Sequence, residues 1–405
     1  MYDKISQMEP MMPEYSGLLE DMSKEIVSQS AALVGQIHPL SQKPLMELLR
    51  IINSYYSNLI EGHSAHPVDT ERAMRQDYTS EPAKRDLQLE SLAHIKTQRE
   101  IDSRLSMDSD LNVADPSFIR WIHETFYQEL TESLRLVKAD ESDEIFEVSG
   151  GDLRKSEIKV GRHIGPLAEK LPDFLNRFAM AYRSGAHHGV TPIIAIAASH
   201  HRLMWIHPFL DGNGRVTRLY TDACFRRFPL LGYGLWNVSR GLARRRDEYM
   251  AALTQGDAPR RNDYDGRGNL SNEGLVMFCR FFLGVCLDQI GYMNSLLKLD
   301  GLLARLHGYA RLREEKVIPA PAGTEGTFKS EAAFMLQEAL LRGEVSRGDM
   351  IRVSGLAERT GRKVLGQLLD EGLLESDMPK GAVRIAFSTC IAGYLFPDLY
   401  PTQVL

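Results

Sequence analysis

Hydrophobic residues recur every three or four positions over long stretches of this chain. After Pro44, for example, they fall at Leu45, Leu48, Leu49 and Ile52. This is the period of a helix that buries one face, because 3.6 residues make one turn. The pattern predicts a mainly helical fold.

Two segments depart from this pattern. From 192 to 205 the chain is apolar on nearly every side, which predicts a helix buried in the middle of a bundle. After Gly150 and Gly151, residues 154–161 alternate polar and apolar side chains, which predicts a small β-hairpin. We expect this hairpin to lie as a flap between helices.

The C-terminal part of the chain has a different organisation. Residues 313–327 carry two prolines and two glycines without apolar periodicity, and this composition predicts a linker. Beyond it the pattern predicts a winged helix-turn-helix. Its expected elements are helices at about 330–342, 346–353 and 356–370, then a strand pair near 373–374 and 383–387. The predicted ranges are an N-terminal helical region at 1–110, a core at 111–312, the linker at 313–327 and a smaller winged helix domain at 328–405.

Composition and charge limit the class of protein. A hydrophobic fraction of 43% and a charged fraction of 25% are ordinary for soluble globular proteins. The net charge of -6 gives no global attraction to nucleic acid or anionic membranes. Four cysteines without CxxC spacing fit a reducing compartment. Without a signal-peptide pattern or an apolar run of membrane-spanning length, we expect a cytoplasmic protein with no membrane partner.

Candidate chemistry concentrates in residues 207–218, HPFLDGNGRVTR. Pro208 disfavours helical geometry at the residue before it, so the buried helix should end near His207. Gly212 and Gly214 allow a tight turn, and a new helix is expected from Gly214. A glycine-rich turn that enters a helix presents free backbone N–H groups, which favours phosphate binding.

The same segment supplies further groups for nucleotide chemistry. Arg215 and Arg218 share one helix face, where two cations favour an anion between them. Transfer of a nucleotidyl group to a hydroxyl needs a base, a carboxylate that holds Mg²⁺, and donors for phosphate oxygens. His207, Asp211 and the turn at 212–215 supply these in that order. No Walker A or dinucleotide fingerprint competes for the nucleotide.

Residues 207–218 match the Fic signature, HxFx(D/E)GNGRxxR, at every specified position, and residues 45–300 as a whole resemble Fic proteins. The resemblance implies a Fic-type helical bundle and a protein adenylyltransferase, with ATP as substrate and Mg²⁺ as cofactor. It implies that His207 is the base for a target Ser, Thr or Tyr hydroxyl, and that Asp211 is the Mg²⁺ ligand. Catalytic Asn213 and the amides of Gly212 and Gly214 would hold the α-phosphate. Arg215 would bind near the β-phosphate and Arg218 the γ-phosphate.

Two more segments resemble parts of Fic proteins. The hairpin residues Ile158, Lys159, Val160 and Gly161 are similar to the flap that holds the target peptide by strand addition. Residues 57–62, SNLIEG, are similar to the inhibitory motif (S/T)xxxE(G/N) on a helix at about 44–62.

The inhibitory motif also has a physical reading. A carboxylate at a helix C-terminus faces the negative end of the dipole, so Glu61 is unfavourable there unless a nearby cation compensates, and Gly62 suits the cap. The alternative is a Glu61 side chain that projects into water. The resemblance implies that Glu61 pairs with Arg218 and blocks the γ-phosphate, while Ser57 anchors the helix.

Several alternatives remain open at this stage. The same site could remove AMP instead of adding it, or use another nucleotide donor. A nucleotide-sensing DNA-binding regulator and an inactive scaffold are the other readings. Residues 328–390 contain nine basic and nine acidic side chains, so the C-terminal domain lacks the usual footprint for DNA and equally suits protein binding. Expected partners are ATP, a protein target that can be the chain itself (at Tyr233, Ser239 or the N-terminal Tyr and Ser residues), and a second copy in a homodimer.

Overall fold

The computed structural model describes residues 2–138, 145–161, 163–321, 324 and 328–401. Within these ranges the chain is mainly helical, as predicted, with three two-stranded antiparallel sheets. In chain order the helices are α1 (Gly17–Val34), α2 (Pro39–Ile60), α3 (Pro67–Met74), α4 (Pro82–Met107), α5 (Pro116–Gln128), α6 (Glu132–Arg135), α7 (Leu171–Tyr182), α8 (Thr191–Ile206), α9 (Asn213–Arg227), α10 (Val238–Arg244), α11 (Arg246–Gly256), α12 (Asn272–Leu297), α13 (Leu299–Glu314), α14 (Ala332–Arg342), α15 (Arg347–Ser354), α16 (Glu358–Asp370) and α17 (Thr389–Leu395). The sheets pair β1 (Leu136–Lys138) with β2 (Ile145–Glu147), β3 (Lys159–Val160) with β4 (His163–Ile164), and β5 (Leu374–Glu375) with β6 (Arg384–Ile385).

The chain forms two compact units. The first contains Met1–Ser28, Asn53–Tyr233 and Asn237–Gln289, and the second contains Gln29–Ile52, Gly234–Trp236 and Ile290–Leu405. These boundaries differ from the four predicted ranges, because α1, α2 and α12 each contribute residues to both units. Hydrophobic periodicity predicts a helix but does not show where along that helix one compact unit ends and the other begins.

Helix α8 is the centre of the first unit. Ile193, Ala197, Leu203 and Ile206 are at most 1% exposed, and α7 and α9 pack against the helix. Each fully buried Leu or Ile side chain contributes about 1.5–3 kcal/mol to folding. The prediction of a buried helix over 192–205 is confirmed.

Two sequence expectations on the hairpin and on α2 need correction. The predicted hairpin begins later than Arg154, because strand pairing starts only at Lys159 and joins it to Ile164 across the turn at Gly161. The inhibitory helix, expected from Pro44, begins at Pro39. Pro44 removes one backbone hydrogen bond from α2 without ending it. The β1–β2 pair was not predicted from the sequence.

The C-terminal part of the second unit contains the helices that the pattern predicted. The ends of α14, α15 and α16 lie within two residues of the predicted ones, and β5 and β6 follow them near the predicted strand pair. Helix α17, which follows them, was not predicted. The predicted linker begins too early, because Arg313 and Glu314 still belong to α13. Its residues 322–323 and 325–327 lie outside the described residues.

A buried ion pair fixes the end of α13. The Arg313 guanidinium donates to both carboxylate oxygens of Glu371, and both side chains are at most 2% exposed. Replacing Glu371 with glutamine leaves the Arg313 charge buried without its counterion, so we expect a loss of about 3–5 kcal/mol of stability. Thermal and urea unfolding would measure it. Glu358→Gln is the matched control, because its pair with Arg362 is exposed and should contribute less than about 1 kcal/mol. Equal effects of the two substitutions would contradict the expectation.

Helix α12 corrects another expectation. Among the described residues it is the one helix long and apolar enough to meet the criterion for crossing a membrane, whereas no run of that length was expected from the sequence. More than half of its most apolar window is buried inside the protein. Phe278, Phe282 and Cys286 of this helix are fully buried there, as expected of a core helix.

Candidate active site

His207 stands at the end of the buried helix. Helix α8 ends at Ile206, and His207 takes the left-handed conformation with φ 49° and ψ 62°, while its N–H donates to the Leu203 carbonyl over 3.1 Å. Pro208 accounts for this end, since it cannot continue the hydrogen-bond ladder. The partly buried His207 side chain lines a cavity of about 800 Å³ together with Gly161 and Ile164 of the hairpin.

The environment keeps the His207 imidazole neutral. Burial is the main cause, and the neighbouring His163 and Arg154 add to it, so the pKa falls from its usual value to about 4. An imidazole with this pKa carries no proton on its second nitrogen at neutral pH, so it can accept one.

This shift gives a direct spectroscopic prediction. A lowered pKa means that protonation begins only as the pH approaches about 4, so the His207 ring signals should not move between pH 8 and pH 5.5. A histidine with the ordinary pKa of about 6.5 would be about nine-tenths protonated at pH 5.5. NMR titration would decide, with the His207→Asn variant identifying the signal. A midpoint near 6.5 would show that burial does not control this group.

The turn between α8 and α9 is closed by its own side chains. Asn213 Oδ1 accepts from the Phe209 N–H over 2.9 Å, and Asn213 Nδ2 donates to the Phe209 carbonyl over 2.8 Å. The side chain of Asn213 therefore braces the turn, and its backbone N–H is left for the expected phosphate contact. Gly212 has φ 78°, and a Cβ there would lie 2.8 Å from the Tyr127 ring, so any larger residue would strain the backbone and displace Tyr127.

Asp211 is held as an ionised carboxylate beside this turn. Its Oδ2 accepts from the Tyr127 hydroxyl over 2.6 Å and from Arg215 Nη2 over 2.8 Å. Burial favours the neutral acid, but the Arg215 charge and the Tyr127 and Gly212 donors outweigh it, and the pKa of Asp211 is lowered. The carboxylate keeps its charge at neutral pH and is partly exposed.

Arg215 joins Asp211 to a second acid. Its Nη1 donates to Glu90 of α4, whose side chain is 1% exposed, while Nη2 reaches Asp211. Glu90 in turn lies 3.3 Å from Nδ1 of His63, and this contact raises the pKa of His63. The guanidinium is thus fixed from both sides.

Arg218 is bound to the end of α2. Its Nε donates to Ser57 Oγ over 2.9 Å, and its Nη2 donates to the Ser57 carbonyl over 2.8 Å and to Glu61 Oε1 over 2.6 Å. The structure therefore brings Ser57, Glu61 and Arg218 together. The Glu61 carboxylate also lies against the start of α9, because a Cβ on Gly214 would meet Glu61 Oε1 at 2.2 Å.

The end of α2 places Glu61 by a glycine cap. Helix α2 stops at Ile60, Gly62 has φ 86°, and the N–H groups of Gly62 and His63 donate to the carbonyls of Leu59 and Asn58. This bond pattern is the Schellman motif, with Glu61 at the C-cap. Burial of Glu61 opposes ionisation, but the charges of Arg218 and Arg215 outweigh it, and its pKa is lowered.

The hairpin is tied to the His207 loop by Arg154. Its Nε donates to the His207 carbonyl over 2.9 Å, and its Nη1 and Nη2 donate to the carbonyls of Ser156 and Pro166. The Ile158 carbonyl accepts from Gly165, and Lys159 and Val160 form the strand before Gly161. One buried guanidinium therefore holds the flap over the cavity that His207 lines.

The chain is similar to known proteins over part of its length. A profile of the Fic/DOC family matches residues 114–224, which include the whole of the 207–218 segment. Proteins named "Protein adenylyltransferase Fic" from Drosophila mojavensis and Aedes aegypti are 35% identical over 80 residues and 30% identical over 110 residues. These matches cover 20% and 27% of this chain but only 16% and 21% of the two relatives.

Two solved structures share the fold. A Fic family protein from Desulfovibrio desulfuricans G20 matches with a TM-score of 0.50 and 18% identity, over 92% of this chain and 98% of its own. Fic-1 (residues 134–508) from C. elegans matches with a TM-score of 0.52 and 16% identity, over 69% of this chain and 73% of its own. The helical fold is shared with these Fic proteins, and residues 114–224, which hold the complete segment at the α8–α9 turn, match the Fic/DOC family profile.

Proposed function

We propose that this chain transfers AMP from ATP to a hydroxyl of a protein. The observation that carries the proposal is the α8–α9 turn, where a neutral His207 borders an open cavity and the start of α9 carries two buried arginines. The names of the relatives from Drosophila mojavensis and Aedes aegypti support the same activity.

The residues of the turn divide the reaction between them. His207 accepts the proton of the target hydroxyl as the hydroxyl oxygen attacks the α-phosphorus, and pyrophosphate leaves. The first N–H groups of α9 have no acceptor within the helix and can bind phosphate oxygens. Arg215 and Arg218 stabilise the charge of the leaving pyrophosphate.

Asp211 fits the proposed Mg²⁺. Magnesium is bound in such sites by one or two carboxylates together with substrate phosphates, and it neutralises phosphate charge there. Asp211 is ionised and partly exposed beside the phosphate-binding turn. No cluster of three or more His, Cys, Asp or Glu side chains that could hold a metal occurs in the part of the chain that the structure describes, which agrees with a site that substrate must complete.

We further propose that Glu61 holds this activity down. Arg218 is the residue that the family resemblance assigns to the γ-phosphate, and in this structure Glu61 and Ser57 occupy three of its donor contacts. Glu61 Oε1 lies 2.6 Å from Arg218 Nη2. A γ-phosphate that bound Arg218 would have to displace this carboxylate, because the two anions would repel each other beside one cation.

Radiolabelled ATP tests the proposed reaction. Label from the α-position should enter protein on incubation with Mg²⁺, and label from the γ-position should not. Intact-mass analysis should show the addition of one AMP. If the γ-label entered protein, the reaction would be phosphoryl transfer and not adenylyl transfer. If the chain released AMP from protein that already carries it, the site would catalyse the reverse reaction, removal of AMP.

The C-terminal helices support the proposed winged helix domain without favouring DNA. Helix α16 begins with a cluster of basic side chains, Arg359, Arg362 and Lys363. Arg362 is paired with Glu358 on the same helix, so part of this cluster is already neutralised. With nine charges of each sign in residues 328–390, a protein-binding or dimerisation role is favoured. A gel shift of the full chain at low and high salt would test this, and salt-sensitive binding to duplex DNA would contradict it.

A further inference from the structure

The cavity beside His207 contains part of the chain itself. Its walls come from the hairpin, from the end of α8 and from α11, including Met250 and Leu253. Tyr2 also lines this cavity. Tyr2 and His207, the proposed base, therefore line one cavity.

Tyr2 lies beside the hairpin in the manner of a bound peptide. It forms a parallel β-bridge with Pro166, and its carbonyl accepts from the Leu167 N–H over 2.9 Å. Its ring lies 4.7 Å from the ring of Trp205, centroid to centroid, two residues before His207. Pro166 lies two residues after β4, so this pairing stands next to the hairpin, and main-chain pairing of an extended segment is one of the general modes of peptide recognition.

The segment that follows Tyr2 is anchored at several points. Glu9 accepts from Arg177 Nε over 2.7 Å. The Pro10 carbonyl accepts from Nε and Nη2 of the buried Arg202 over 3.0 and 2.8 Å, and the Met11 carbonyl accepts from the Tyr182 hydroxyl. These bonds hold the segment against α7 and α8, so Tyr2 stays at the cavity without a second molecule.

We propose that Tyr2 is an acceptor for the chain's own AMP transfer, within one molecule. The proposal rests on the proposed function. A bond forms between the Tyr2 phenolic oxygen and the α-phosphorus of ATP, and the bond from the α-phosphorus to the bridging oxygen breaks. Pyrophosphate leaves, and the phenolic proton passes to His207.

The surroundings of Tyr2 explain why the reaction needs this base. Burial and the charge of Asp257 raise the pKa of the Tyr2 hydroxyl, so it carries its proton at neutral pH. Asp257, which lines the same cavity, lies 3.3 Å from His163 Nδ1 and from His201 Nε2. The proposal therefore assigns that proton to His207 at the end of α8.

Other tyrosines show whether position at the cavity or solvent exposure determines which tyrosine is modified. Tyr15 is 87% exposed and Tyr264 is 98% exposed, whereas Tyr2 is only partly exposed. Modification that followed accessibility would label Tyr15 and Tyr264 first. Modification directed by the cavity would label Tyr2.

The experiment uses the full chain carrying Glu61→Gly, with α-labelled ATP and Mg²⁺, followed by peptide mapping. We expect AMP on Tyr2 and a loss of at least about half of the label in Tyr2→Phe, which keeps the ring against Trp205. Tyr15→Phe and Tyr264→Phe are the matched controls and should keep the full label. The rate constant for labelling Tyr2 should not change over a tenfold range of protein concentration, because the acceptor belongs to the same molecule.

The outcomes that overturn this proposal are distinct from failure of the proposed function. Pyrophosphate release or AMP on other residues, with Tyr2 unmodified, would remove Tyr2 as acceptor and leave the transferase intact. A labelling rate proportional to protein concentration would assign the reaction to a second copy. Absence of both AMP transfer and pyrophosphate release, in wild type and in Glu61→Gly, would overturn both proposals.

Discussion

Replacing Glu61 with glycine is expected to raise AMP incorporation by about ten- to a hundredfold. The substitution removes the carboxylate that accepts from Arg218 Nη2 over 2.6 Å and frees the guanidinium for a γ-phosphate. A hydrogen bond to a charged group contributes about 1.5–3 kcal/mol, and each 1.4 kcal/mol corresponds to a factor of ten. Initial rates with α-labelled ATP, for both forms at the same ATP and Mg²⁺, would measure the change.

Two further variants show whether the charge or the helix end is responsible. Glu61→Gln keeps the shape of the side chain but not its charge, and should give an intermediate rise. Gly62→Ala strains the cap, because alanine at φ 86° is unfavourable, but it leaves the carboxylate in place. If Gly62→Ala activated the chain as strongly as Glu61→Gly, the ordered end of α2, and not the Glu61 carboxylate, would be what inhibits transfer. Equal rates in wild type and Glu61→Gly, with ATP bound by both, would contradict inhibition by Glu61.

The sequence predicted those features of the site that a short segment determines by itself. Pro208 ends α8, Gly212 permits the left-handed turn, and α9 starts one residue before the expected Gly214. Each of these follows from backbone geometry that neighbouring residues impose. The helix end at Glu61 and Gly62 was readable for the same reason, since a glycine at a positive φ marks a cap.

Contacts between distant parts of the chain were not readable in this way. Glu90 lies in α4 in a stretch that alternates leucines with polar residues, and nothing in this stretch distinguishes it from a solvated glutamate. Tyr127 and Arg154 are likewise ordinary in sequence, yet one bonds Asp211 and the other holds the flap to His207. Their roles depend on which helices pack together, and a single periodic pattern does not specify that choice.

These distant contacts complete the electrostatics of the site. The 207–218 segment carries two buried arginines near one carboxylate, and two of the balancing acids, Glu90 and Glu61, come from α4 and from the end of α2. Glu90 is 1% exposed and stays with Arg215, whereas Glu61 is about one-third exposed and lies over the start of α9. We therefore expect ATP to displace Glu61 from Arg218 but not Glu90 from Arg215.

Replacing His207 with alanine should lower AMP transfer by about 10²- to 10⁴-fold while ATP binding changes little. The reason is that a general base acts on the proton in the transition state and makes no required contact with the nucleotide. The measurement belongs in the Glu61→Gly background, where the starting rate is high enough to show a large loss. ATP affinity would be followed by calorimetry in the same pair of proteins.

A second substitution separates chemistry from backbone strain at this position. His207 has φ 49°, where alanine is unfavourable but asparagine is tolerated, so His207→Asn keeps the turn and removes only the base. Both variants should lose transfer equally if the imidazole accepts the proton. If His207→Asn kept activity and His207→Ala lost it, the residue would serve the turn, and the base would have to be sought among the other groups that line the cavity. Loss of ATP binding in both would make His207 structural, because the start of α9 depends on the turn that His207 begins.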